Sequence, residues 1–133
     1  MDSEFFTSET TTRGVHVRVR SQFDPHRSHL DQQLWFFLYT VTITNQGEGT
    51  VQLLSRHWII RDETGQVQEV KGQGVVGEQP VLEPGESFEY TSGCPLSTAT
   101  GTMEGTYGMV DAEGEAFEAQ IGAFVLSEPL TVH

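Results

Sequence analysis

The sequence predicts an all-β domain, a sandwich of about seven short strands, and three observations carry that expectation. Apolar and polar residues alternate in several places with the period of two that a half-buried strand requires. Runs rich in Val, Ile, Thr, Phe and Tyr are separated at short intervals by turn signals built on Gly, Pro, Asn and Asp. No window of eleven residues holds a helical period without a Gly, Pro or β-branched interruption.

In chain order, residues 1–12 are expected as an N-terminal tail ahead of a core spanning about 15–126, in one domain covering 1–133. Val15-His16-Val17-Arg18-Val19-Arg20 alternates apolar and charged residues, a strand with one buried face. Residues 34–44 form a second strand in which Phe37, Tyr39, Val41 and Ile43 share a face, and Asn45-Gln46-Gly47-Glu48-Gly49 turns the chain. The opposite face, Leu34, Phe36 and Leu38, is expected to lie under the 21–33 connection or the tail. Residues 50–61 form a third strand whose apolar phase slips at Leu53-Leu54, the signature of a bulge or a short break. Asp62-Glu63-Thr64-Gly65 turns into a strand at 66–71, and Pro84-Gly85 turns into one at 87–92. The last two strands, 102–110 and 115–125, flank Asp111-Ala112-Glu113-Gly114.

Trp58 in the third strand directs this sandwich toward the immunoglobulin and fibronectin type III group, where a strand tryptophan fills the core. Gly105-Thr106-Tyr107-Gly108-Met109 resembles the start of the sixth strand of such domains, with Met109 where a disulfide cysteine would stand. Tyr107 is therefore expected to make a tyrosine corner, its hydroxyl bonding to nearby backbone.

Composition narrows the function. The net charge is −12, and all seven Lys and Arg lie between Arg13 and Lys71, followed by ten acids and no further cation. Nucleic-acid binding rests on cations that neutralise phosphates, so that role is disfavoured. Arg13, Arg18, Arg20 and Arg27 cluster with His16, His26 and His29, which reads as the charged outer face of an edge strand. The single cysteine, Cys94, provides neither an intramolecular disulfide nor a thiolate metal framework. The acidic start lacks the pattern of a secretory signal, and the densest apolar run, Leu34 to Tyr39, is far below the ~20 residues of a membrane helix. A soluble, cytoplasmic protein is expected.

Few residues point to chemistry. Gly72-Gln73-Gly74-Val75-Val76-Gly77 matches the glycine-rich phosphate fingerprint in form, but that fingerprint needs a helix after it. Here Glu78-Gln79-Pro80-Val81-Leu82-Glu83-Pro84-Gly85 follows, and its two prolines oppose a helix. Two uses of the glycines remain. They shape a rigid exposed loop that presents Val75, Val76, Glu78, Gln79 and Pro80, with neighbouring Arg56 and His57, to a protein partner. Alternatively, amides at Gly72, Gly74 and Gly77 with Lys71 form an anion nest for pyrophosphate or a dinucleoside polyphosphate. Asp24-Pro25-His26-Arg27-Ser28-His29 reads as a solvated connector rather than a metal site, since no further ligand is evident. Cys94 has no base beside it, and no nucleophile elbow, Walker loop or zinc-protease motif occurs. A non-enzymatic protein without a cofactor is expected, as a monomer or weak homodimer.

Ser55-Arg56-His57-Trp58, the 70–80 glycine stretch, Pro84-Gly85-Glu86, Phe88, Tyr90-Thr91-Ser92-Gly93 and Gly105-Thr106-Tyr107-Gly108-Met109, in that order, resemble the bacterial ApaG family. The resemblance runs from about Val15 to Val125. It implies a fibronectin type III-like sandwich and, because related domains in F-box proteins and a DNA-polymerase-interacting protein look like interaction modules, a protein-binding role with an unidentified partner. It also implies a link to divalent-cation (cobalt and magnesium) homeostasis. It fixes no molecular activity.

Overall fold

Nine strands account for the regular structure in a computed structural model that describes residues 5–129. They are β1 (Phe6–Thr12), β2 (Val15–Phe23), β3 (Trp35–Asn45), β4 (Val51–Asp62), β5 (Val67–Gln73), β6 (Val81–Leu82), β7 (Ser87–Leu96), β8 (Thr100–Val110) and β9 (Ala116–Ser127). A single 3-10 turn, Leu30–Gln32, is the only helical element among the described residues. One sheet runs β1-β2-β3-β7 and the other β5-β4-β8-β9, with β6 paired to the start of β4. Every pairing is antiparallel.

The inner faces follow from the alternation. Val15, Val17 and Val19 of β2 and Phe37, Tyr39, Val41 and Ile43 of β3 meet Leu53, Trp58, Met103, Tyr107, Met109, Ile121 and Phe124 of the second sheet. Trp58 is 2% exposed and meets Tyr39 (5.2 Å between ring centroids), Phe124 (6.0 Å) and Tyr107 (6.3 Å) edge-on. The expected irregularity in the third strand is a register shift between Leu53 and Ser55. It moves the inward positions from Val51 and Leu53 to Arg56, Trp58 and Ile60.

The turns close on carboxylates. Asp62 Oδ1 accepts from the Thr64 and Gln66 amides, and Asp111 Oδ1 from those of Glu113 and Glu115. Hydrogen bonding lowers both carboxyls: the Thr64 side chain leads for Asp62, and the Glu115 backbone leads for Asp111.

Three expectations need correction. The segment expected as a tail contains β1, paired with β2 from Phe6↔Ser21 to Thr12↔Val15. It lacks apolar alternation because its inward residues are hydroxyls serving the open edge of β9. Ser8 donates to the Gly122 carbonyl (2.9 Å), Thr10 to that of Gln120 (2.6 Å), and Thr12 accepts from the Gln120 amide (3.1 Å). Ser21 on β2 extends the row to the Val125 carbonyl (2.6 Å). An edge that would template aggregation is thereby occupied. Since β1 lies outside β2, the Arg18, Arg20 and His16 face is outward but does not belong to an edge strand.

Tyr107 is fully buried, as a corner tyrosine would be, but its hydroxyl bonds the hydroxyl of Tyr90 on the opposite sheet rather than backbone. Burial raises both phenols, so the pair stays protonated and satisfies itself inside the sandwich. Of the outward Leu34, Phe36 and Leu38 face, Phe36 is partly covered by the 21–33 connection. The Arg27 guanidinium lies 5.8 Å from the Phe36 ring centroid, and the Asp24 amide donates to the Phe36 carbonyl.

Candidate functional site

The glycine-rich connection leaves β5 and returns to β6 across the end of β4. Gly72 is opposite Arg56 in the β4–β5 ladder. A Cβ at Gly72 would sit 2.8 Å from the Arg56 guanidinium, so glycine is what lets that group lie flat against β5. From there Arg56 Nη1 donates to the carbonyls of Gln73 and Gly74, both at 2.9 Å. Gln79 closes the other side, its Nε2 donating to the Leu54 carbonyl (2.9 Å) and to Gln73 Oε1 (3.3 Å). The Leu53 amide donates to Pro80 O (3.0 Å), fixing the exit into β6. The β4 bulge therefore presents Leu53 and Leu54 backbone groups to the connection. A register defect in the strand becomes the anchor of the loop.

Between those anchors the chain makes a two-residue hairpin. Val75 and Glu78 exchange backbone hydrogen bonds of 2.8 Å each way, around Val76 (φ 42°) and Gly77 (φ 82°). Positive φ at both central positions is a type I′ turn. Glycine suits the second position, whereas a β-branched residue at the first is strained by Cβ–carbonyl contact. Val76 is nonetheless there and 57% exposed, while Val75 points inward at 1%.

The expected site residues therefore separate. Val76, Glu78 and Gln79 are exposed and Pro80 is half-buried, and the same connection leaves Val81 54% exposed. Val75 cannot contact a partner because it belongs to the core. Arg56 and Gln79 brace the turn. His57 alternates with Arg56 along β4, so it faces the outer side of the sheet, where Nε2 meets Glu69 Oε1 at 2.7 Å. The reading of these residues as one surface is corrected by the strand period. Val81 was missed because its exposure depends on the two-residue pairing of β6 with β4, which the sequence does not advertise.

Two of the three glycine amides expected in the anion nest are used within the fold. Gly72 is a ladder residue of β5, the Gly74 amide donates to the Leu54 carbonyl (2.8 Å), and the Val75 and Glu78 amides hold the hairpin. The Gly72 and Gly74 amides are thus directed into the fold, while Gly77 is on the exposed turn. Lys71 precedes Val75, the first residue of the turn, by four positions and is on the outward face with His57.

Asp24 of the histidine-bearing connector caps the His26 amide (3.0 Å) and pairs with Arg27 (3.5 Å). Among the described residues no three His, Cys, Asp or Glu side chains are placed to hold a metal ion. Cys94 is buried, and burial pushes its thiol up to about 11. No helix among the described residues is long and apolar enough to cross a membrane.

The family model of the ApaG domain matches residues 25–111. Protein ApaG of Methylobacterium sp. (strain 4-46) is 60% identical over 118 residues, covering 89% of this chain and 91% of that protein. Protein ApaG of Dechloromonas aromatica (strain RCB) is 52% identical over 126 residues, covering 95% and 99%. The crystal structure of a Bordetella pertussis protein assigned as ApaA superposes with a TM-score of 0.87 at 51% identity, covering 92% of this chain and 99% of that one. The C-terminal domain of wzt shares the fold alone, at a TM-score of 0.55 and 9% identity, covering 95% of this chain and 80% of that one.

Proposed function

Because the chain belongs to the ApaG family, whose fold is a two-sheet scaffold with loops at its ends, we propose that it is a non-enzymatic protein-interaction domain whose contact element is the Val76–Gly77 turn. The observation that carries this reading is Val76 itself. A β-branched side chain is held at positive φ on an exposed turn whose flanks are braced by Arg56 and Gln79. Strain of this kind persists where the surroundings over-determine the backbone, and it clusters at functional positions. A preformed turn also loses little conformational freedom on binding. Glu78, Pro80 and Val81 would form the rest of the contact, an apolar tip beside a carboxylate. In support of a non-catalytic role, the one thiol is buried and its charged form disfavoured.

The test is affinity capture from the native cytosol with wild-type protein, Val76→Asn and Glu78→Lys as bait. Asparagine suits the turn's backbone but removes the apolar tip. Loss of a specific partner in both variants, with thermal unfolding still cooperative, is the expected result. Recovery of every wild-type partner by both would refute the assignment.

A further inference from the structure

Seven Lys and Arg face nineteen acids in this chain, and four of the seven have internal partners. Arg13 pairs with Asp111 (3.1 Å), Arg27 with Asp24 (3.5 Å) and Arg61 with Glu104 (3.0 Å), while Arg56 braces the glycine loop. Among the described residues, Arg18, Arg20 and Lys71 have no ion pair. Lys71 lies apart on β5. Arg18 and Arg20 are together, two residues apart on the outward face of β2, about 6–7 Å along the strand.

Because β1 and β3 flank β2, neither arginine protects a sheet edge. Thr7 and Thr40 are opposite Arg20, and Glu9 and Thr42 are opposite Arg18. Arg18, Arg20, Thr40, Thr42 and Glu89 line a depression of about 60 Å³, roughly twice the volume of one liquid water. The Thr40 and Thr91 hydroxyls bond each other at 2.8 Å, and such a pair leaves one O–H proton to donate elsewhere. The Arg20 guanidinium lies 5.3 Å from the Phe5 ring centroid, a contact that orders its plane. Two carboxylates are nearby and keep their charge: Glu89, in the lining itself, accepts from the Thr42 hydroxyl (2.8 Å), and Glu9, opposite Arg18, meets His16 Nε2 (3.0 Å), neither forming an ion pair with the two arginines.

We propose that Arg18 and Arg20, with the Thr40–Thr91 hydroxyl pair, bind one phosphate group of a small phosphate monoester. Guanidinium forks match phosphate oxygens bidentately, and a tetrahedral dianion can engage two forks at once where a carboxylate fills only one. The excess negative charge opposes any anion at long range. Beyond about 8 Å, however, that repulsion is largely screened at physiological ionic strength, so the balance between the two arginines and the neighbouring Glu9 and Glu89 decides. This site is on the face of the first sheet, and it stands or falls independently of the Val76 turn.

The experiment is an NMR titration of the full chain with O-phosphoserine and inorganic phosphate, using acetate as the control anion. The expected result is saturable shifts at Arg18, Arg20, Thr40 and Thr42, half-complete at about 1 mM or below. Affinity should fall at least tenfold in Arg18→Gln and in Arg20→Gln, and less in Arg20→Lys, with thermal stability unchanged. Unsaturated linear shifts, an equal response to acetate, undiminished binding in the two Gln variants, or shifts centred on Gly74–Gly77 would each overturn the site.

Discussion

Replacing Val76 by asparagine should raise the stability of the protein, because the native residue is strained where it stands. A β-branched residue at φ 42° carries about 1–2 kcal/mol of left-handed strain that asparagine largely avoids. The side chain is 57% exposed, so its removal gives up only about 0.6 kcal/mol of apolar burial. The balance is a gain of about 0.5–1.5 kcal/mol. For 133 residues one kcal/mol moves Tm by about 3–4 °C, which puts the expected rise at about 2–5 °C. Val75→Ala is the internal contrast: one position away but 1% exposed, it should lose about 1–3 kcal/mol to the cavity it leaves. Differential scanning calorimetry of the two variants reads both signs. An unchanged or lowered Tm for Val76→Asn would refute the strain and, with it, the reason for regarding this turn as functional.

Three further outcomes follow from the core and the turns. Tyr90→Phe or Tyr107→Phe leaves a buried hydroxyl without its partner and should cost about 1–3 kcal/mol in urea unfolding, whereas the double variant should cost much less than the sum; additive losses would show that the hydroxyls do not depend on each other. Asp62 and Asp111 have carboxyls lowered in the folded state, so their contribution is present above the unfolded carboxyl pKa of about 4 and is lost as pH falls through the folded value. Asp62→Asn and Asp111→Asn should therefore flatten the acid limb of stability against pH, and an unaltered limb would contradict this. Cys94, with its thiol pushed up to about 11, should resist iodoacetamide at neutral pH until the domain opens, so native labelling as fast as that of the urea-unfolded chain would be inconsistent with its burial.

Much of the scaffold was legible because it obeys local rules. The alternation at Val15–Arg20 and the shared face of Phe37, Tyr39, Val41 and Ile43 became the inner face of one sheet. The phase slip at Leu53-Leu54 became the β4 bulge, and the Asp62 and Asp111 turns formed on the carboxylates that announced them. The expected strand count of about seven fell short by two, β1 and β6. Phe6–Thr12 escaped notice because its inward positions are hydroxyls, and hydroxyls face a core only where another element leaves backbone groups open to them. Tyr107 is expected from the sequence to bond nearby backbone, but its hydroxyl partner, Tyr90, lies on the other sheet, seventeen residues earlier.

The candidate site divides in the same way. Residue type and order alone determined a β-sandwich, a glycine-bearing loop after β5, the family, and the acidic character of the chain. Only the tertiary structure decided which of two adjacent valines is exposed, that Arg56 braces the loop, and that Arg18 and Arg20 lie side by side without an ion pair among the described residues. Strand periodicity and turn chemistry act over two to four residues and can be read along the chain. The direction of a side chain at a turn, and the neighbour that satisfies a charge or hydroxyl, depend on strands brought together from distant positions. Those contacts exist only once the sheets have closed on each other.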